Sequence, residues 1–451
     1  MPSSPSTDIA DVPLRRVQPA LRRTITAISL LWLATAAGAA MAFLAQTLLA
    51  RELGPSDYGL FASSLATITM LAPLAAFGLS QYWLQVYGVE GWNAERWLRP
   101  SLRFIGVTTA LSMAIIVLWA FVGAPADATR PTLLILLPVI LSVLTVDLVG
   151  SKLRLEERYN ALALWQLSIP SSRLAVAILL LLIPTLAGRF VALGYGAISL
   201  AVALLALPQL RAMLRGEMKL HGHGPRPAAV ETTATSGLPV PTVSQLWSQA
   251  WAYGLNAALY PIFFQISTVL LKYMSGNAQA GMFSIALAVM MAIYLIPATV
   301  YQKFLLSKLH RWAVHDRAKF WLVYRKGNLA MLLSGLLISA AMVVLAPWLV
   351  PIAFGEKYRP VVKILMVLAL CPPIRFLYTS VSSALLSETH MRYRVYAMAM
   401  AALVAVLFNV LLIPHYGELG AAVATVISET MLLAGTYWGV RKFNPPMKVG
   451  A

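Results

Sequence analysis

The chain is short of charge, shorter still of acid, and almost without cysteine. Of its 451 residues only 12% are charged, against 59% hydrophobic, and the mean hydropathy is +0.74. A soluble domain of this length cannot hide so much apolar surface, because much of its exterior must meet water. A water-soluble enzyme or binding module is therefore excluded. The single cysteine, Cys371, rules out an internal disulfide and leaves the redox compartment unreadable. No sustained alternation of apolar and polar residues occurs, which argues against a membrane barrel. No P-loop is present, which argues against an ATP-driven pump. The basic, polar N-terminus leads into a full-length apolar span without a small-residue cleavage site, so no removable signal peptide is expected.

What the chain does contain is apolar runs of about 20 residues or more, long enough to cross roughly 30 Å of hydrocarbon as helices. Hydropathy predicts an all-α, polytopic membrane protein with about twelve transmembrane helices. The first six are expected at 25–50, 59–87, 101–122, 132–150, 161–183 and 190–210. The second six are expected at 246–271, 279–305, 327–354, 361–386, 393–414 and 419–440. Between them lies a polar stretch rich in Pro, Gly, Thr and Ala, which reads as a flexible linker. The expected organisation is thus a tail at 1–24, a six-helix bundle at 25–210, a linker at 211–243, a second six-helix bundle at 244–440 and a tail at 441–451. His221 and His223 in the linker read as a solvated pair rather than a metal site.

The net charge of +18 first suggests nucleic acid, but no soluble basic-aromatic patch is available to bind it. The charge instead follows the spans. Seven basic residues, Arg51, Arg130, Arg189, Lys272, Lys357, Arg359 and Lys363, fall in the short loops of one side, and Arg173 and Arg375 fall within helices. The other 26 of the 35 Lys and Arg collect on the side of the two termini. By the positive-inside rule that side is cytoplasmic. The two halves also resemble each other. Arg51, a glycine-containing turn and Gly59-Leu-Phe61 match Lys272, a glycine-containing turn and Gly281-Met-Phe283. Later, Ile183-Pro184 before Leu193-Gly194 matches Ile413-Pro414 before Leu419-Gly420. Six spans per half is an even number, so the repeat is parallel, with its axis along the membrane normal. Such an arrangement places a substrate between halves that rock against each other.

Four stretches in order along the chain carry a family resemblance. They are ARELGPSDYGLFASSLATITMLAPLAAFGLS from Ala50 to Ser80, GMFSIALAVMMAIYLIPATV from Gly281 to Val300, FGEKY from Phe354 to Tyr358, and IPHYGELGAAVATVISE from Ile413 to Glu429. In these the chain resembles the Wzx-type polysaccharide transporters, within the superfamily that also holds the MATE multidrug exporters. The resemblance implies two MATE-like bundles around a central cavity in the bacterial inner membrane. It implies a flippase with no cofactor, moving an undecaprenyl-diphosphate-linked oligosaccharide from the cytoplasmic to the outer leaflet for O-antigen, capsule or exopolysaccharide synthesis. Its partners would be that lipid-linked oligosaccharide, membrane lipids, H+ or Na+ as a coupling ion, and a polysaccharide polymerase with its chain-length regulator.

Candidate site residues are the polar groups that sit deepest. Arg173 and Arg375 lie about ten residues, or roughly 15 Å, from either end of their expected helices, beyond easy snorkelling. An arginine at that depth costs at least about 2.5–3.5 kcal/mol and normally faces a cavity or a partner. Both are expected to bind the substrate diphosphate; the alternative is an ion pair inside a bundle, with Asp147 or Glu429. Those two carboxylates are the candidates for ion coupling. Pro73 and Pro297, at near-matching repeat positions, and Pro372 with Pro373, ahead of Arg375, are candidate hinges. Gln46, Asn256, Gln265, Gln302 and Asn409 are amides within spans, able to bind sugar hydroxyls but more often used to join helices. Trp83, Trp92, Trp97, Trp247, Trp251 and Trp438 lie near span ends and read as interface anchors.

Other functions fit less well. A membrane glycosyltransferase or polymerase needs catalytic groups in an outward loop, and the outward acids Glu52, Asp57, Asp127, Glu356 and Glu418 are scattered singly on short loops. A multidrug cation exporter would be expected to carry acids in the middle of its first bundle, where this chain carries Arg173. A lipid II flippase would be expected to carry basic residues in helices 1, 2 and 8, of which only Lys303 comes near.

Overall fold

The computed structural model describes residues 14–125, 128–183, 188–221, 223–224, 239–300, 317–385 and 388–443. Gln302, Lys303, Asp127 and Gly222 lie outside them, as do most of the N-terminal tail, the middle of the linker and most of the C-terminal tail. The described chain is built of helices. In order they are α1 Leu14–Ala76, α2 Leu79–Glu90, α3 Leu98–Val122, α4 Thr129–Leu136, α5 Val139–Leu155, α6 Tyr159–Leu182 and α7 Gly188–Leu214. Then come α8 Val243–Ser275, α9 Asn277–Val300, α10 Arg317–Phe354, α11 Val361–Leu368, α12 Cys371–Ser382 and α13 Glu388–Phe443.

Among the described residues, eight continuous helical stretches are long and apolar enough to cross a membrane, or nine if the bent pair α11 and α12 is one span. Two of them are far too long to be single spans. The stretch from Ser29 to Val122 has 94 residues, about 140 Å of helix at ~1.5 Å per residue. Within α1 the backbone reverses at Gly54, with φ 74 and ψ 173, and within α13 at Gly417, with φ 54 and ψ −131. These dihedrals are open to glycine and strained for other residues, so each long helix is two antiparallel arms. Divided there, the helices accommodate the twelve expected spans.

Three expected spans are interrupted. The fourth divides into α4 and α5 around Leu137-Pro138. Its repeat mate, the tenth, divides into α11 and α12 with a 41° bend. The second span breaks at Phe77, which holds φ 44, and Gly78, which holds φ 67. Pro73, Pro138 and Pro372 stand at or close beside these breaks, and each removes an amide from the helical ladder.

The repeat is visible in three dimensions. Gly276 closes α8 with φ 101 and ψ 173, the same kind of turn that Gly54 makes. The matched glycines Gly59 and Gly281, a little over one helical turn beyond these, meet each other. A Cβ on Gly59 would lie 1.8 Å from the Asn277 carbonyl oxygen, and one on Gly281 would lie 2.9 Å from the Gly59 Cα. The second spans of the two halves therefore cross backbone to backbone, a packing that only small residues permit. A single apolar cluster, including Ala62 and Ile68 of α1 and Phe283 and Ala286 of α9, runs through this crossing.

The linker is less free than its composition suggests. Beyond α7, Met218 and Leu220 are buried against Trp92, Trp97 and Leu155, and the His221 amide donates to the Leu155 carbonyl. His221 also approaches Glu157 at 3.6 Å. The tryptophan expectation changes for the same reason: Trp83, Trp92 and Trp97 are buried in this cluster, whereas Trp247 and Trp438 are exposed.

Candidate functional site

The two halves touch at both ends of their shared seam. On the face that carries Gly54 and Gly276, Tyr358 donates to the Ala50 carbonyl at 3.0 Å and the Lys272 ammonium donates to Ser64 at 3.0 Å. Lys272, expected in an exposed loop, is instead buried in the last turn of α8. On the opposite face, where α1 begins and α13 ends, Phe77 fills the seam. Its ring stacks on Trp247 at 4.9 Å, meets Phe104 edge-on at 5.7 Å, and lies over Gly254, where an added Cβ would fall 2.2 Å from the ring. Two tyrosine–glutamine hydrogen bonds cross the seam beside it, Tyr82 to Gln249 at 2.7 Å and Tyr253 to Gln85 at 2.6 Å.

Between these closures lie two chambers. One, of about 410 Å³, is walled by both arms of α1 and by α6, α7, α8 and α9. Along the second arm of α1 its lining residues are Tyr58, Phe61, Ala62, Leu65, Ala66 and Thr69, and along α9 they run from Ser284 to Leu295. Both sets repeat every three or four residues, the signature of one helix face. The other chamber, of about 390 Å³, continues toward Phe77; Thr69, Pro73, Gly78, Asp147, Arg173 and Ala257 are in its wall. Arg173 and Thr69 belong to both walls, so they sit where the chambers meet.

Arg173 comes from the middle of α6, and its guanidinium lies 4.9 Å from the ring centroid of Tyr195 on α7. Among the described residues it makes no ion pair. It is also the only charged residue in the described wall of the larger chamber. Asp147, on α5, opens into the smaller chamber and accepts a hydrogen bond from Ser80 at 2.9 Å. Ser151, one turn further along α5, donates to the Ser80 carbonyl at 3.0 Å. The start of α2, directly after the Phe77-Gly78 break, is thus tied to the wall that carries the carboxylate.

The second deep arginine stands apart from both chambers. Arg375, near the start of α12, lines neither chamber. Its guanidinium lies 3.3 Å from the Glu429 carboxylate, both groups being almost wholly buried, and it donates to the Tyr260 hydroxyl at 3.2 Å. Tyr260, Phe264, Tyr294 and Tyr378 surround it, with centroids at 4.8 to 5.6 Å. The structure therefore joins two residues for which the sequence offered either separate roles, substrate binding and ion coupling, or an ion pair inside a bundle. A guanidinium paired with a carboxylate and enclosed by rings is locally neutral and satisfied.

The candidate hinges also separate. Pro73 lines the smaller chamber, and its carbonyl accepts from the Phe77 amide at 2.9 Å. Pro372 and Pro373 occupy the first turn of α12, directly after the bend. Pro297 lies inside α9, which continues to Val300 without a break. Among the amides, Gln46 and Gln265 line the larger chamber, Asn256 lines neither, and Asn409 donates to Ala405 within its own helix. The aromatic gate at Phe77 escaped sequence reasoning because it depends on partners far away in the chain, whereas the Arg375–Glu429 pair was among the alternatives that the sequence offered.

The sequence matches the family described as polysaccharide biosynthesis protein over residues 26–303, more than half of the chain. No curated protein matches it in sequence. In three dimensions it is similar to the lipid II flippase MurJ in an inward closed conformation, at 14% identity and a TM-score of 0.66, over 91% of this chain and 87% of that one. It is similar also to an inward-facing multidrug resistance MATE family transporter of the MOP superfamily, at 15% identity and a TM-score of 0.60, over 90% of this chain and 94% of that one. A MOP superfamily transporter from Pyrococcus furiosus shows 15% identity and a TM-score of 0.55, over 92% of this chain and 95% of that one. At such identities the likeness is one of fold. Taken with the seam and the matched glycines, the sequence match establishes that this multi-pass membrane protein belongs to the polysaccharide biosynthesis protein family and has the fold of the MOP-superfamily transporters.

Proposed function

We propose that the protein is a flippase that carries an undecaprenyl-diphosphate-linked oligosaccharide from the cytoplasmic to the outer leaflet of a bacterial inner membrane, with both termini in the cytoplasm. The observation that supports this most directly is Arg173. A guanidinium at mid-membrane stays charged, and burying it without a carboxylate is costly. Its place at the junction of two chambers gives that cost a use. A diphosphate moving between the leaflets meets there a planar donor able to bind its oxygens in bidentate fashion. The described wall of the larger chamber carries positive charge only, the wrong sign for an exporter of cations.

The seam suggests the transport cycle. Chambers of about 410 and 390 Å³ lie near the lower limit for drug-sized pockets, too small for a diphosphate with several sugars, so the bundles part to admit the headgroup. Opening on the cytoplasmic side lifts Phe77 from Gly254 and parts the Tyr82–Gln249 and Tyr253–Gln85 bonds. Opening on the outer side parts Tyr358 from Ala50 and Lys272 from Ser64. Asp147 is the carboxylate that an ion can reach from the chamber, and it carries the coupling role in this reading. Glu429 is held by Arg375. A polymerase and its chain-length regulator would then consume the translocated unit.

The test is export of surface glycan in cells whose own copy is deleted and replaced. Arg173→Ala is expected to reach the membrane at parental abundance and to lose export, with Arg173→Lys recovering part of it because charge returns without the fork. Parental export by Arg173→Ala would refute the assignment.

A further inference from the structure

Two amides look into the larger chamber. Gln46, on the first arm of α1, and Gln265, on α8, both line it. Several other glutamines bond protein groups: Gln85 and Gln249 bridge the seam, Gln209 accepts from Lys152 at 2.9 Å, and Gln245 caps α8. Gln46 and Gln265 make no hydrogen bond with any described residue, although Tyr58, Thr69, Tyr195 and Ser284 share their wall. Ala39, Ala42, Ala45, Ala62, Ala66 and Ala288 make up much of it, and alanine side chains offer neither donor nor acceptor. Both residues are half-buried, so their amides stay open to whatever occupies the chamber, and a ligand that satisfies them gains the hydrogen bonds that the protein leaves unmade.

The pair is also arranged as a two-sided clasp. Gln46 belongs to the first half and Gln265 to the second. They come from the first span of each half, the helices that the internal repeat makes equivalent. Each amide presents one acceptor and two donors, a combination that suits a hydroxyl or an acetamido group, which donates and accepts at once. Arg173 is the only charge in the same described wall, so the sugar attached to a diphosphate at Arg173 has this chamber open to it. No carboxylate of the described residues lines the chamber to balance a free ammonium on that sugar.

We propose that Gln46 and Gln265 are the specificity-determining residues of the site: one amide from each half reads the hydroxyl or acetamido groups of the sugar attached to the diphosphate, and the chamber selects a neutral or acidic sugar. This rests on the flippase reading and adds to it the sugar-reading end of the site. Because the two amides lie on opposite sides of the seam, a well-matched sugar also draws the bundles together around it, so that recognition and occlusion are one event.

The experiment uses the purified full chain in lipid nanodiscs and two probes, farnesyl diphosphate and farnesyl-diphosphate-linked N-acetylglucosamine, with affinities measured by calorimetry. The parent is expected to bind the glycosylated probe more tightly. Gln46→Met and Gln265→Met, near-isosteric and apolar in an apolar wall, should each reduce that preference about 2- to 10-fold, the worth of a neutral hydrogen bond. Both should leave the affinity for farnesyl diphosphate within about 2-fold, which also shows that they are folded; Gln46→Leu and Gln265→Leu replace either Met variant that is not. Arg173→Ala should weaken both probes alike. Equal affinity of the parent for the two probes, an unchanged preference in the glutamine variants, or equal weakening of both probes by those variants would overturn the clasp while leaving the diphosphate assignment standing. A parent that binds neither probe removes the flippase reading, and the clasp with it.

Discussion

Replacing Glu429 with glutamine keeps the shape of the side chain and removes its charge, leaving a buried guanidinium without its counter-ion. Arg375 has the Glu429 carboxylate at 3.3 Å, and Glu429 is 0% exposed. No other described carboxylate lies within ion-pair distance of Arg375 to compensate it. Removing one partner of a buried pair costs about 3–5 kcal/mol, because the other charge is left uncompensated. Arg375→Met should cost a similar amount, offset in part because a thioether also packs well among Tyr260, Phe264, Tyr294 and Tyr378. Removing both charges together is different. Apolar replacement of a whole buried pair is often neutral or better, so Arg375→Met with Glu429→Leu should recover all but about 1–2 kcal/mol. The cycle is measured by denaturant unfolding of the purified protein, followed by tryptophan fluorescence, with membrane abundance as a second readout. A double variant as unstable as the sum of its parts would show that the two residues are not coupled, and their assignment as a structural ion pair would fail. Export separates structure from transport. The folded double variant should still export glycan, since the pair lines neither chamber. A stable double variant without export would mean that Arg375 meets the substrate.

Other outcomes can be checked in the same cells. Gly281→Ala and Gly59→Ala force a Cβ into backbone at the crossing and should lower membrane abundance sharply, whereas Gly88→Ala, with nothing within 4 Å, should not. Gly254→Ala pushes the Phe77 ring from its seat; on a background with Cys371 replaced by serine, a cysteine at Val146 should then react faster with an impermeant thiol reagent from the cytoplasmic side. Asp147→Asn should keep normal abundance and lose the response of transport to an imposed ion gradient, and an unaltered response would assign coupling elsewhere. Reporter fusions at Gly222 and Arg317 should report cytoplasm and those at Thr129 and Gly417 the outer side, the reverse pattern overturning the orientation.

Much of this molecule is legible in one dimension. The all-helical, many-span architecture, the order of the spans and the duplicated Gly-x-Phe segment all follow from local composition and spacing, because a bilayer demands long apolar helices and each helix satisfies its own backbone. Depth was legible too: a residue ten places from either end of a span is deep wherever its helix packs, and Arg173, Arg375 and Glu429 stand out on that ground.

Facing was not legible, because it depends on which helices become neighbours. Arg173 and Arg375 look alike in sequence, each an arginine within a span and shortly after proline. Packing puts one at the junction of two chambers and the other against Glu429, 54 positions further on. Gln46 and Asn409 look alike in the same sense, yet one lines a cavity and the other bonds its own helix. By position Lys272 reads as a loop residue and Trp83 as an interface anchor, and both are buried because the partner half covers one and the α2 cluster the other. Composition and periodicity determined that this chain crosses a membrane many times as a doubled unit. Only the tertiary structure decided which of its polar groups look into the cavity, because burial in a membrane protein is settled by contacts between helices distant in sequence, while the lipid makes all of their outer faces look the same.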